Sequence, residues 1–320
     1  MRREGSPFSG IGTVMMKELA DHLSSARMRV LEWLIVLTAV AALIGTIWQV
    51  RETVSEDPFV FLKLFTEARQ PLPSFVSMLA FLIPLMAIGL GFDAVNGEHN
   101  RRTLSRVLSQ PIYRDALLMG KFFAGLVTLA ISLVVLWLLV VGLGLLFLGV
   151  PPSTEEVLRS LAFLVVALAY AGLWLAAAIL FSIIFRSPAT AALTTLGLWL
   201  FLTILWPALS PAIAYAVSPP HPLYQVIGQP DPNTLVWEQG LARLSPSTLF
   251  AEVLRAVLNP STRALGPVFI EQLEGALIGS PLPLTQSLLI AWPQLVGLVA
   301  GTILLFVIGY VVFQRQEVRA

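Results

Sequence analysis

No cysteine occurs among these 320 residues, so disulfides and thiolate metal sites are excluded. Charge is equally scarce. Asp, Glu, Lys and Arg make up 12% of the chain, half the roughly 25% of a soluble domain. The formal net charge of +1 gives no basis for nucleic-acid binding. The histidines, His22, His99 and His221, fall in separate segments without the Glu or Cys spacing of a metal centre. No Ser-His-Asp arrangement and no paired intramembrane Asp point to a protease or transferase. A phosphate-cradling loop, G-x-x-x-x-G-K-[ST], is also missing. The one Gly-Lys pair, Gly120-Lys121, is followed by Phe122, and Lys121 reads as a cation snorkelling from the mouth of an apolar run. Nucleotide hydrolysis must therefore come from a separate subunit. Ionisable groups are nearly absent inside the apolar runs; Asp93 and Glu32 sit at their edges. Intramembrane ionisable groups usually mark ion or proton paths, so an ion-coupled carrier is disfavoured.

Apolar sequence fills the space these absences leave. Hydrophobic residues are 57% of the chain and mean hydropathy is +0.82. Six runs approach or exceed the ~20 residues a helix needs to cross hydrocarbon. They are Leu31–Val50, Phe75–Val95, Leu117–Leu148, Leu158–Phe185, Ala189–Val217 and Leu288–Phe313. The third and fourth are over-long and should project or tilt. Pro84, Pro207 and Pro211 each remove a backbone donor and should bend their helices. Trp33, Trp48, Trp206, Tyr215 and Trp292 lie near run ends, as in an interfacial belt. Glu32 belongs at the same level. The first run begins near Val30, too late and too long for a secretory signal, so the N-terminal segment is expected to stay.

Before the first run, Ile11 to Met28 carries Ile11, Val14, Met15, Leu19 and Leu23 at helical spacing, with Lys17 and Glu18 interleaved. This predicts an amphipathic helix, either lying in the interface plane or packed on protein. Most of the 20 Lys and Arg fall in the N-terminal segment, around 96–121, at Arg186 and at the C-terminus. The positive-inside rule then puts both termini in the cytoplasm. Residues 218–287 become an extracytoplasmic insertion. It starts Pro-rich, then offers one helix with Ser245 as N-cap and Pro246 at the first position, running to Leu258. A second is expected from Pro267 to Ile278.

Between the second and third runs lies the densest polar stretch. Asp93, Glu98, Arg102-Thr103-Leu104, Leu108-Ser109-Gln110-Pro111, Arg114 and Gly120-Lys121 follow one another at spacings that resemble the type-2 ABC exporter permeases. The sequence departs from the commonest pattern by carrying Asn100-Arg101-Arg102 where many members have a Gly before Thr-Leu. The resemblance implies that 97–111 is a coupling helix docking on an ABC ATPase subunit through Glu98, Arg101, Arg102, Thr103, Leu104, Leu108, Pro111 and Arg114. Lys17 and Glu18 would lie on the interfacial helix, and Asp93 and Lys121 at the membrane edge. Taken alone, the polar residues allow a plainer reading, a basic loop binding lipid phosphates. The insertion, including Leu244-Ser245-Pro246-Ser247-Thr248, resembles permeases grouped with nitrous-oxide-reductase and multicopper-enzyme maturation. No Met, His or Cys cluster would carry copper, so metal transport is not expected.

The resulting expectation is an all-α integral membrane protein of six transmembrane helices forming a single transmembrane domain over 1–320. Within it, 1–29 is tail and interfacial helix, 30–217 holds five spans, 218–287 is the insertion, and 288–320 is the last span and tail. It would be the permease subunit of an ATP-driven exporter in the cytoplasmic membrane, moving an amphiphilic or apolar substrate. ATP and Mg would bind two copies of the partner ATPase, none binding this chain. A second permease copy or homologue would pair through the first and fifth spans. Two alternatives are a membrane scaffold that transmits ATPase strokes to an extracytoplasmic protein at 218–287, and an ion-coupled carrier.

Overall fold

The computed structural model describes residues 10–51, 59–68, 73–100, 114–149, 151–227, 229–266 and 281–315. All regular structure among them is helical. In chain order the helices are α1 (Ile11–Ser24), α2 (Ala26–Arg51), α3 (Val60–Thr66), α4 (Phe75–Gly91), α5 (Asn96–Asn100), α6 (Arg114–Leu148) and α7 (Thr154–Ile184). Then come α8 (Pro188–Leu200), a π-helical turn (Phe201–Leu205), α9 (Trp206–Val217), α10 (Pro222–Ile227), α11 (Pro232–Ala242), α12 (Pro246–Leu258) and α13 (Leu284–Arg315). Among the described residues, six helical runs are long and apolar enough to cross a membrane, at the six expected places. The second outer helix expected at Pro267–Ile278 lies outside the described residues.

Two compact units divide the chain. One is built from 1–151, 167–197 and 299–320, the other from 152–166 and 198–298. In the first unit, the helix expected over Ile11–Met28 is split at Ser25, whose backbone turns extended (φ −71°, ψ 136°). Its hydroxyl oxygen accepts a bond from Met28 N at 3.1 Å, which caps α2 in the manner of a Ser N-cap. Residues 26–28 thus belong to the first span. α1 packs against the start of α6, where Gly120 lets the backbones meet: a Cβ there would fall 2.7 Å from Val14 Cγ1. At 35 residues, α6 is about 52 Å long, against roughly 30 Å of hydrocarbon, which leaves its first turns free to carry α1. The connection after α2 holds a short helix the sequence did not signal. α3 buries Phe61, Leu62, Leu64 and Phe65, with Phe65 edge-on to Phe75 at 5.7 Å.

Pro84 sits within α4 and cannot donate to the carbonyl of Ala80. Tyr170, fully buried on α7, donates its hydroxyl to that carbonyl at 3.2 Å. The most apolar window of α7 is 78% buried, whereas those of α8–α9 and α13 are 11% buried. That part of α7 is therefore encased by protein, whereas few residues in the other two windows are fully buried.

In the second unit, Pro207 and Pro211, where bends are expected, leave their mark in the hydrogen bonding. Trp206 N donates to Phe201 O, one residue further back than in an α-helix. In that wider register the next donor to Leu202 O would be residue 207, and proline has none. Ser245 Oγ donates to Leu202 O instead, at 2.6 Å. This is why Ser245, although it precedes Pro246 as expected, makes no side-chain capping bond to α12. The carbonyl of Pro207, deprived of its donor by Pro211, accepts Ser210 Oγ at 3.4 Å. α12 buries Phe250, Val253, Leu254 and Val257.

Candidate functional site

The end of α7 positions the start of the polar stretch. Ser182 Oγ accepts Val95 N at 2.9 Å and Asn96 N at 3.2 Å, and Asn96 Nδ2 donates to Phe185 O at 3.2 Å. The side chain of a residue in the last turn of one helix thus satisfies the first donors of α5, while the orphan carbonyl beyond it takes the Asn amide. Asp93, in the turn before α5, pairs with Arg27 Nη1 at 2.9 Å, and the Arg27 guanidinium lies 4.9 Å from the centre of the Phe92 ring. Such stacking with a bidentate-capable cation suits Arg better than Lys. The Asp93 contact therefore ties the exit of the second span to the entrance of the first.

α5 then carries Glu98 to Lys121. Lys121 Nζ lies 2.7 Å from Glu98 Oε1 and 2.9 Å from Glu18 Oε1. Its side chain is 4% exposed, so Lys121 does not snorkel toward the interface; it bridges two carboxylates, one from α1 and one from α5. Lys17 Nζ adds a second contact to Glu18 at 3.0 Å and reaches Asp21 at 3.2 Å. Burial would raise the Glu18 carboxyl, but the charges and hydrogen bonds of Lys121 and Lys17 outweigh it and hold the group below its ordinary range. Burial likewise opposes the Lys17 ammonium, and Glu18 and Asp21 more than offset it, holding it above its ordinary value. His22, half-buried beside them, is pushed down chiefly by burial. Lys121 is thus a cation buried between two anions at 2.7 and 2.9 Å, and pairing of this kind is what makes a buried charge tolerable.

Glu98, Lys121, Glu18 and Lys17 thus form one cluster, while Asp93 joins Arg27 apart from it. Arg114 opens α6, its side chain lying outside the described atoms. Arg101, Arg102, Thr103, Leu104, Leu108 and Pro111 lie outside the described residues. Ser182 and Asn96 as positioning groups, and Arg27 as the partner of Asp93, carry no local sequence signal. Gly120-Lys121 carried the clearest signal: the glycine admits α1 and the lysine receives its carboxylate.

The family of transporters described as ABC-2 family transporter protein matches residues 13–318. This chain belongs to that family. Two curated relatives carry the name "Probable ABC transporter permease protein NosY". The one from Pseudomonas aeruginosa is 29% identical over 204 residues, covering 61% of this chain and 68% of its own. The one from Stutzerimonas stutzeri is 23% identical over 314 residues, covering 96% and 98%. Their names agree with the subgroup the insertion resembles. The ABC-2 chain is a multi-pass membrane permease subunit of an ABC transporter, and its family implies an ATPase partner.

Proposed function

We propose that this ABC-2 permease couples ATP hydrolysis by a separate ATPase to export of an apolar or amphiphilic substrate. One observation carries the reading. Lys121, at the root of α6, holds both Glu98, which leads into 97–111, and Glu18 on α1. A push on 97–111 reaches α6 through a short, buried ionic link. Such a link transmits displacement because its partners cannot separate without stranding a buried charge. In this reading the ATPase, with ATP and Mg, grips Glu98, Arg101, Arg102, Thr103, Leu104, Leu108, Pro111 and Arg114. Both termini lie in the cytoplasm, two ATPase copies serve a pair of permeases in the cytoplasmic membrane, and 218–287 faces outward.

A second reading makes the same chain a transmitter to an extracytoplasmic protein. It is favoured by Arg159, which pins α12 and the start of α13 to α7 within the second unit through Val257 O at 2.6 Å and Ser287 Oγ at 3.3 Å. A firmly held outer body suits delivery of a stroke.

The test is coexpression with a candidate ABC ATPase subunit from the same genome, followed by co-purification and turnover in liposomes. Lys121→Met should leave ATPase binding within a few-fold while uncoupling hydrolysis from flux, and Glu98→Ala should weaken both. Unchanged coupling in Lys121→Met overturns the ionic link. Strokes that reach an outer partner with no flux favour the second reading.

A further inference from the structure

A lateral groove of about 450 Å³ opens in the first unit between α2, α4 and α6, a size within the range of about 300–1,000 Å³ typical of ligand sites. Its lining is apolar, with Trp33, Met86 and Ile131 on three sides, apart from a polar end formed by Arg29, Glu32 and Ser132. Arg29 and Glu32 stand three residues apart on α2 and so share a face. Glu32 Oε1 accepts the Ser132 hydroxyl at 3.2 Å. Among the described residues neither Arg29 nor Glu32 forms an ion pair. Two opposite charges one turn apart, left unbridged at the mouth of an apolar slot, match a ligand that brings its own pair of charges. Trp33 beside them is 66% exposed, a residue type that settles at headgroup depth.

We propose that this groove is a binding site for a phospholipid with a primary-amine headgroup. The phosphate lies on Arg29, whose fork matches its oxygens. The ammonium donates to Glu32, and one acyl chain fills the slot. A quaternary ammonium offers Glu32 no N–H, and an anionic headgroup without an amine leaves the carboxylate facing a like charge. The headgroup is therefore read by hydrogen bonding as well as charge.

The experiment purifies the full permease from a mixture of phosphatidylethanolamine, phosphatidylcholine and phosphatidylglycerol with identical chains. Retained lipid is counted by native mass spectrometry. The amine lipid should be enriched roughly tenfold or more over the choline lipid, the discrimination that one charge-assisted hydrogen bond provides. Glu32→Gln should erase that preference, Arg29→Gln should lower all three lipids together, and Ile131→Trp should empty the slot. A series with zero to three N-methyl groups, read on the unaltered protein, should show the loss without any variant. Equal retention of the amine and choline lipids, enrichment of the glycerol lipid, or a preference that survives Glu32→Gln overturns the proposal.

Discussion

The hydroxyl of Tyr170 occupies the hydrogen-bonding position that Pro84 vacates: it donates to Ala80 O at 3.2 Å, the carbonyl that residue 84 would bond in an unbroken helix. The same solution recurs in the second unit, where Ser245 Oγ donates to Leu202 O, the acceptor left by Pro207. In each case a proline within a membrane helix leaves a backbone carbonyl without its usual donor, and a hydroxyl distant in sequence satisfies it. Unsatisfied backbone groups are costly in lipid, so these pairs allow the prolines to be accommodated.

Tyr170→Phe should accordingly destabilise the protein by about 1–3 kcal/mol, the cost of leaving a buried acceptor without a partner. Pro84→Ala restores the donor at 84, so in that background the loss from Tyr170→Phe should shrink. The measurement is a double-mutant cycle on unfolding in detergent with added denaturant. Additive losses would show that Tyr170 acts by packing alone.

α1 should leave α6 in two stages as pH falls. His22 is depressed by burial, so the unfolded chain takes up its proton first, and stability declines as pH drops below 6.5. Glu18 is depressed by Lys121 and Lys17, so its contribution is complete above 4.5 and is lost as pH falls through the lower folded value. Because the chain has no native cysteine, spin labels at Met16→Cys and Phe123→Cys, both exposed, report the α1–α6 distance directly. His22→Gln should remove the first stage and leave the second. A single transition unaffected by His22→Gln would contradict this account.

The six spans and the α12 start at Pro246 were readable because they depend on run length and on local backbone chemistry. Other features were not, each for a physical reason. The break at Ser25 hides inside an unbroken helical periodicity, since a serine that caps and a serine that faces solvent look alike in sequence. Glu18 read as part of a polar face, yet it lies on the buried side of α1 because its partner, Lys121, is 103 positions away. Ser245 stands at the expected N-cap, but its hydroxyl donates to Leu202 O and pairs with Ser247 Oγ at 2.7 Å instead of capping a backbone N–H of α12. Pairings across such separations leave no periodic trace in the sequence.

Arg159 shows the same limit most clearly and yields the most direct test. It counts as one basic residue at the edge of a span, yet it is completely buried and holds together three segments of the second unit. Its Nη1 donates to Val257 O near the end of α12, where a cation also complements the helix dipole. Nη2 donates to Leu282 O at 2.5 Å, and Nε pairs with Glu155 at 3.0 Å. Glu155 Oε1 in turn accepts Leu284 N at 2.8 Å, capping the start of α13. Arg159→Met removes the fork while keeping the apolar stem, so it leaves the carbonyls of Val257 and Leu282 without their donor. Each buried acceptor left unsatisfied costs about 1–3 kcal/mol. A local loss of about 3 kcal/mol corresponds to roughly a hundredfold rise in opening. A cysteine placed at Leu258, 2% exposed, should therefore react with maleimide about a hundredfold faster in the Arg159→Met background. Arg159→Lys should recover only part of the protection, because an ammonium cannot reach Val257, Leu282 and Glu155 together as the guanidinium does. Equal labelling rates in all three backgrounds would mean that the apolar face of α12, not Arg159, holds it in place.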